Sequence, residues 1–145
     1  MSRINRIGQC ALFSVAISIA LGAAVRADVV AVVSSKNPVT SLSKNQVTDI
    51  FLGKTARFPD GTLAVPIDQE EGSAARNEFY ATFAGRSPAQ IKSHWTKIIF
   101  TGRGRPPMAV SNSTEVRHLI ATNSQAISYM ERSAVDSSVK VLIQP

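Results

Sequence analysis

Residues 28–54 read DVVAVVSSKNPVTSLSKNQVTDIFLGK, and the order of signals in this stretch decides the fold class. Val29 to Val33 is an unbroken apolar, mostly β-branched run, the pattern of a strand buried on both faces and therefore of a central strand. Ser43 then offers a helix cap, Gln46 stands three residues later to reach back to it, and Leu42 and Val47 are placed as a hydrophobic staple. The spacing predicts a helix from Ser43 with Val47, Ile50 and Phe51 on one face, closed where Gly53 can turn left-handed.

The same alternation continues downstream. Phe58-Pro59-Asp60-Gly61 is turn chemistry, and Leu63 to Ile67 reads as a second strand. A helix follows from about Ser73 to Phe83 with Phe79, Tyr80 and Phe83 as its apolar face and Gly85 at its end. Ser87-Pro88-Ala89-Gln90 repeats the capping signal with proline at the first helical position, and Ile91, Trp95, Ile98 and Ile99 mark one face of the next helix. Thr101 to Pro107, TGRGRPP, is too rich in glycine and proline to continue it and forms a loop carrying Arg103 and Arg105. A short strand at Met108 to Ser111, a helix capped by Asn112 and ending near Asn123, and strands at Ala126 to Met130 and Val139 to Ile143 complete the order. Strands alternating with helices at these lengths predict an α/β fold, a mixed sheet of about five strands flanked by helices.

Upstream of Asp28 the pattern is that of an export signal. Arg3 and Arg6 precede Cys10 to Val25, 16 residues without a charge, and Val25-Arg26-Ala27 fits a cleavage site. The run is shorter than the ~20 residues that cross a bilayer as a helix. Cys10 opens the run rather than ending it, so it is not placed as a lipoprotein anchor. Cleavage after Ala27 would leave a single domain, Asp28 to Pro145, periplasmic or secreted. That chain contains no cysteine, which excludes disulfides, thiol nucleophiles and cysteine metal sites. Loss of Arg3, Arg6 and Arg26 lowers the formal excess charge from +6 to +3, and nucleic-acid binding loses its electrostatic support.

Three segments carry a family resemblance. Ser35-Lys36-Asn37-Pro38-Val39 followed by Leu42 and Asp49-Ile50-Phe51-Leu52-Gly53-Lys54, then Trp95 with Phe100-Thr101-Gly102, then Ala126-Ile127-Ser128-Tyr129, resemble in order and spacing the periplasmic substrate-binding proteins of phosphate ABC transporters. The resemblance implies one lobe of a periplasmic-binding-protein-like fold, a small oxyanion such as phosphate as ligand, a membrane transporter as partner, and no enzymatic activity. Two features depart from the family. Glu70-Glu71-Gly72-Ser73-Ala74-Ala75-Arg76 keeps Ser73 but has alanines where a Ser-Gly-Thr anion clamp would stand, and the length suits only one of the two lobes that close around a ligand. Two copies could pair to complete a cleft.

Candidate site residues follow from position and charge. A helix start at Ser73, with Arg76 in its first turn, attracts anions through unpaired amides and the helix dipole, although Glu70 and Glu71 compete for those amides. Asp68 and Gln69 follow the second strand, where ligands gather in open α/β sheets; Asp68 could equally cap the turn. No acid occurs from Phe79 to Thr114, while Arg86, Lys92, Lys97, Arg103 and Arg105 do, and paired guanidinium groups such as Arg103 and Arg105 can grip an oxyanion. His94 and His118 have no partner at ligand spacing, so neither a metal nor another cofactor is expected. Two functions fit: an exported module binding a small anion or polar solute, or an exported accessory or sensor protein that uses the lobe for protein contact.

Overall fold

A computed structural model describes residues 28–143; the leader read at Met1 to Ala27 lies outside the described residues. Five strands form one mixed sheet. They are β1 (Val29–Ser34), β2 (Val65–Gln69), β3 (Met108–Val110), β4 (Ala126–Glu131) and β5 (Val139–Ile143), in the order β3-β2-β4-β1-β5. β1 pairs antiparallel with β4 and β5, while β2 runs parallel to β3 and β4. β1 is thus internal, one place from the edge, and β4 holds the centre.

Four helices cover the sheet: α1 (Lys44–Phe51), α2 (Ala74–Phe79), α3 (Pro88–Phe100) and α4 (Ser113–Thr122). Every residue of β1 is buried because its two faces serve two cores. Val29, Ala31 and Val33 join Val47, Phe51, Phe79, Ile91 and Trp95 on the side of α1, α2 and α3. Val30 and Val32 join Ile67, Val116, Ile120 and Met130 on the side of α4. A period-2 element whose alternate residues are all covered gains on the order of 1.5–3 kcal/mol for each valine buried, which is why the run contains no polar residue.

The helix starts are built as their sequence demands. Ser43 and Gln46 bond reciprocally at 3.1 and 2.9 Å, and Ser87 and Gln90 repeat the device at 3.3 and 2.8 Å with Pro88 first in α3. Leu42 and Val47, on either side of the Ser43 cap, are both buried. Gly53 ends α1 at φ 75°, and a Cβ there would stand 3.0 Å from the Trp95 ring, so both backbone and space require glycine. Asn37, in the loop after β1, is buried: it donates to Ser124 O at 2.7 Å and accepts from Val39 N at 2.8 Å.

Three expectations are corrected. Leu63 and Ala64 do not belong to β2: Leu63 only bridges Arg57 to close the turn at 58–62, and β2 instead runs on through Asp68 and Gln69, because β3 pairs with Ile67, Asp68 and Gln69. Asp68 and Gln69 therefore lie inside the strand rather than beyond it. The helix after Ser73 is α-helical only to Phe79; Tyr80–Ala84 widens into a π-turn ending at Gly85, with Thr48 Oγ1 donating to Phe83 O at 2.9 Å. α3 buries Ile91 and Trp95, but Ile98 is only partly covered and Ile99 is exposed, since the core ends under the middle of the helix. No helix among the described residues is long and apolar enough to cross a membrane.

Candidate functional site

A cleft opens beside the carboxyl end of β2, bounded by the turn after it, by α3 and by the loop that leads into β3. Asp68, Gln69, Glu70, Glu71, Arg76, Lys92, Trp95 and Ile99 line it, together with Pro106 and Pro107. The carboxyl ends of β2 and β3 lie side by side here because those strands are parallel, the arrangement in which α/β sheets expose strand ends to ligands.

Asp68 organises the cleft floor. It is 3% exposed, and a carboxylate at that depth must be paired. The Tyr80 hydroxyl donates to Oδ2 at 2.6 Å, the Tyr129 hydroxyl donates to Oδ1, and Gln69 N donates to Oδ1 at 2.8 Å. Arg76 Nε stands 3.5 Å from Oδ1. Tyr129 is itself fixed by stacking on Phe79, ring centroids 4.0 Å apart. Burial pushes both tyrosine hydroxyls far above their ordinary titration range, and the Asp68 charge beside them adds to the shift. Both remain donors, so Asp68 is an anchored counter-charge whose lone pairs are largely taken.

Arg76 is what that anchor holds in place. Its guanidinium lies over the Tyr80 ring at 5.3 Å, with the side chain 11% exposed. Although Nε is within ion-pair distance of Asp68, it is not aligned for a hydrogen bond, and it has no hydrogen-bond partner among the described residues. Trp95 Nε1 is buried and unpartnered in the same way. Two buried donors without acceptors thus belong to side chains lining one cleft, an arrangement that leaves hydrogen-bonding capacity unspent where most buried polar atoms are satisfied.

The other candidates are placed differently. Gln69 Nε2 reaches Tyr129 O at 3.3 Å and Ser113 Oγ at 3.4 Å, so this side chain ties β2 to β4 and α4. Ser73 caps α2, accepting from Arg76 N at 3.0 Å, and does not line the cleft. Arg103 and Arg105 are exposed on the loop whose prolines form the cleft rim. Glu70 and Glu71 are exposed on the opposite rim. His94 Nε2 is bonded to Leu52 O at 2.9 Å, and no three His, Cys, Asp or Glu side chains among the described residues are grouped to hold a metal. Trp95 and Tyr80 read as core residues from their helical spacing, and both are buried; that spacing carries no sign that Trp95 also lines the cleft with an unpartnered N–H or that the Tyr80 hydroxyl holds Asp68.

No family model matches the sequence, and neither does any curated protein. Solved structures do match. A protein of Clostridium perfringens described as a phosphate ABC transporter substrate-binding protein with bound phosphate is 23% identical, with a TM-score of 0.63 over 79% of this chain and 44% of its own. An ABC-type phosphate transport receptor of Vibrio cholerae is 21% identical, with a TM-score of 0.63 over 79% of this chain and 45% of its own. PstS of Borrelia burgdorferi is 10% identical, with a TM-score of 0.53 over 79% and 46%. The chain spans less than half the length of each of them. Residues 28–143 therefore adopt the α/β fold that these proteins contain over rather less than half of their length, one lobe of a periplasmic-binding-protein-like fold.

Proposed function

We propose that this chain is an exported solute-binding module, released by removal of residues 1–27 and working with ABC-type uptake, and that it takes a small oxyanion in the cleft beside Arg76. The observation that carries this reading is the pair of buried, unpartnered donors, Arg76 Nε and Trp95 Nε1, on side chains that line the same cleft. Arg76 supplies charge and a planar fork, Trp95 a neutral donor, and Lys92 a second cation at the cleft edge. Asp68 holds the guanidinium and offsets its charge while the site is empty. Phosphate is the first ligand to test, because proteins of the same fold carry it in their descriptions.

Trp95 is the only tryptophan, so its emission reports on the cleft directly. Titration with phosphate, sulfate and small carboxylates should change that emission, and a ligand at 100 times its dissociation constant should add ~2.7 kcal/mol to thermal stability. Arg76→Lys, which keeps the charge but not the fork, should weaken binding, whereas Arg103→Ala should not. Absence of both responses at millimolar anion would reject the binding role and favour the protein-contact reading. A response abolished by Arg103→Ala alone would move the site to the loop.

A further inference from the structure

The carboxyl end of α3 presents an exposed surface that borders the cleft at Lys92 and Ile99 and extends outward from it to Lys97 and Phe100. Phe100 is 92% exposed and Ile99 55% exposed, whereas the other phenylalanines among the described residues, at 51, 58, 79 and 83, are buried. Lys92 and Lys97 border the same shallow groove as Phe100 on the outer face of the helix. The chain then turns back on the helix end, with Arg103 N donating to Ile98 O at 3.1 Å, and the exposed Arg103 and Arg105 follow in the loop that closes α3. No acid occurs from Phe79 to Thr114. An exposed aromatic with two lysines on its own helix and two exposed arginines in the loop that follows is complementary to an anionic apolar boundary.

We propose that the end of α3 and the loop after it dock on an anionic lipid surface, with Phe100 and Ile99 entering the headgroup boundary and Lys92, Lys97, Arg103 and Arg105 contacting lipid phosphates. A phosphate-bearing lipid surface fits better than a protein partner on chemical grounds. Lysine is depleted from protein interfaces because its ammonium is costly to desolvate, whereas at a lipid surface its stem lies along the apolar boundary and the charge stays wet. Phenylalanine and leucine-type side chains at that depth supply the apolar contact, and each cation adds attraction that salt screens. The surface shares Lys92 and Ile99 with the cleft rim but not the Arg76 and Trp95 donors, so docking and solute binding need not exclude each other.

Phe100→Trp puts a reporter at the contact, distinguishable from the buried Trp95 by comparison with the unsubstituted protein. In titrations with vesicles of mixed phosphatidylcholine and phosphatidylglycerol, the introduced indole should shift to the blue, with partitioning on the order of a hundredfold stronger than into phosphatidylcholine alone. Combining it with Lys97→Glu, Arg103→Glu and Arg105→Glu should remove the shift, as should high salt. No shift, or an equal shift with both vesicle types, would overturn the proposal. A shift that grows with protein concentration without lipid would also overturn it, assigning the surface to another protein chain. Because the reporter sits at position 100, lipid binding by the apolar segment at residues 10–25 does not mimic the signal.

Discussion

Both tyrosines of the protein donate to the same buried carboxylate, which makes its behaviour in alkali unusually specific. In the unfolded chain each tyrosine ionises near pH ~10, while in the folded protein burial and the Asp68 charge raise both far above that value. A raised folded value means that the stabilising effect is fully present below pH ~10 and is lost as pH rises, because only the unfolded state gives up the protons. Each tyrosine then costs about 1.4 kcal/mol at pH 11 and about 2.7 at pH 12, so the pair removes about 2.8 and then about 5.4 kcal/mol. Since small domains are stable by ~5–15 kcal/mol, unfolding should set in between those limits. Tyrosinate absorbance and far-UV circular dichroism, recorded together, should rise and fall as one transition. The contributions of all other groups cancel on comparison with Tyr80→Phe or Tyr129→Phe, each of which should lessen the slope of stability against pH by about 1.4 kcal/mol per unit. Tyrosinate absorbance developing near its ordinary midpoint while the circular dichroism stays native would refute the reasoning.

Asp68→Asn leaves the largely buried Arg76 without a counter-charge and weakens two phenol hydrogen bonds; the urea midpoint should fall by the equivalent of about 3 kcal/mol with an unchanged denaturant slope. Gly53→Ala forces a left-handed alanine against Trp95 and should cost about 1–2 kcal/mol, read by thermal unfolding, with a change in Trp95 emission as its local signature. Hydrogen bonds from Ser138, hydroxyl first and then amide, lower the Asp136 titration below the ordinary carboxylate value, so its contribution is present above that value and lost as pH falls through the folded one; Ser138→Ala should move the carboxyl resonance back upward in an NMR titration.

Much of the fold was legible because its signals are local. A capping serine and the glutamine three residues on meet whatever the rest of the chain does, so Ser43 with Gln46 and Ser87 with Gln90 could be placed from sequence. The run at Val29 to Val33 could likewise only be doubly covered. The limits of β2 were not legible, because they depend on a partner strand some 40 positions away: Met108–Val110 recruits Ile67 to Gln69 into the sheet and leaves Leu63 outside. A strand boundary is a property of a pair.

The site follows the same division, and this bears on what the cleft is for. Asp68, Gln69 and Arg76 were singled out by position and all three line the cleft, yet position could not tell which of their polar atoms are already spent. Asp68 is engaged through Tyr129, 61 residues on, and Tyr80, 12 residues on, the latter carried by a helix that widens into a π-turn at that residue. Ser73, the most family-like residue of the turn, is consumed as a cap, whereas Trp95, whose helical spacing reads as core, keeps a donor free. A clamp built from serine, glycine and threonine would grip an anion with amides and hydroxyls at a helix start. With alanines there, the unspent donors lie instead on Arg76 and Trp95, carried by two different helices. On the proposed function, recognition in this cleft would depend on the spacing between α2 and α3, so substitutions that shift α3, such as at Gly53 beneath Trp95, should change solute affinity even though they touch no solute.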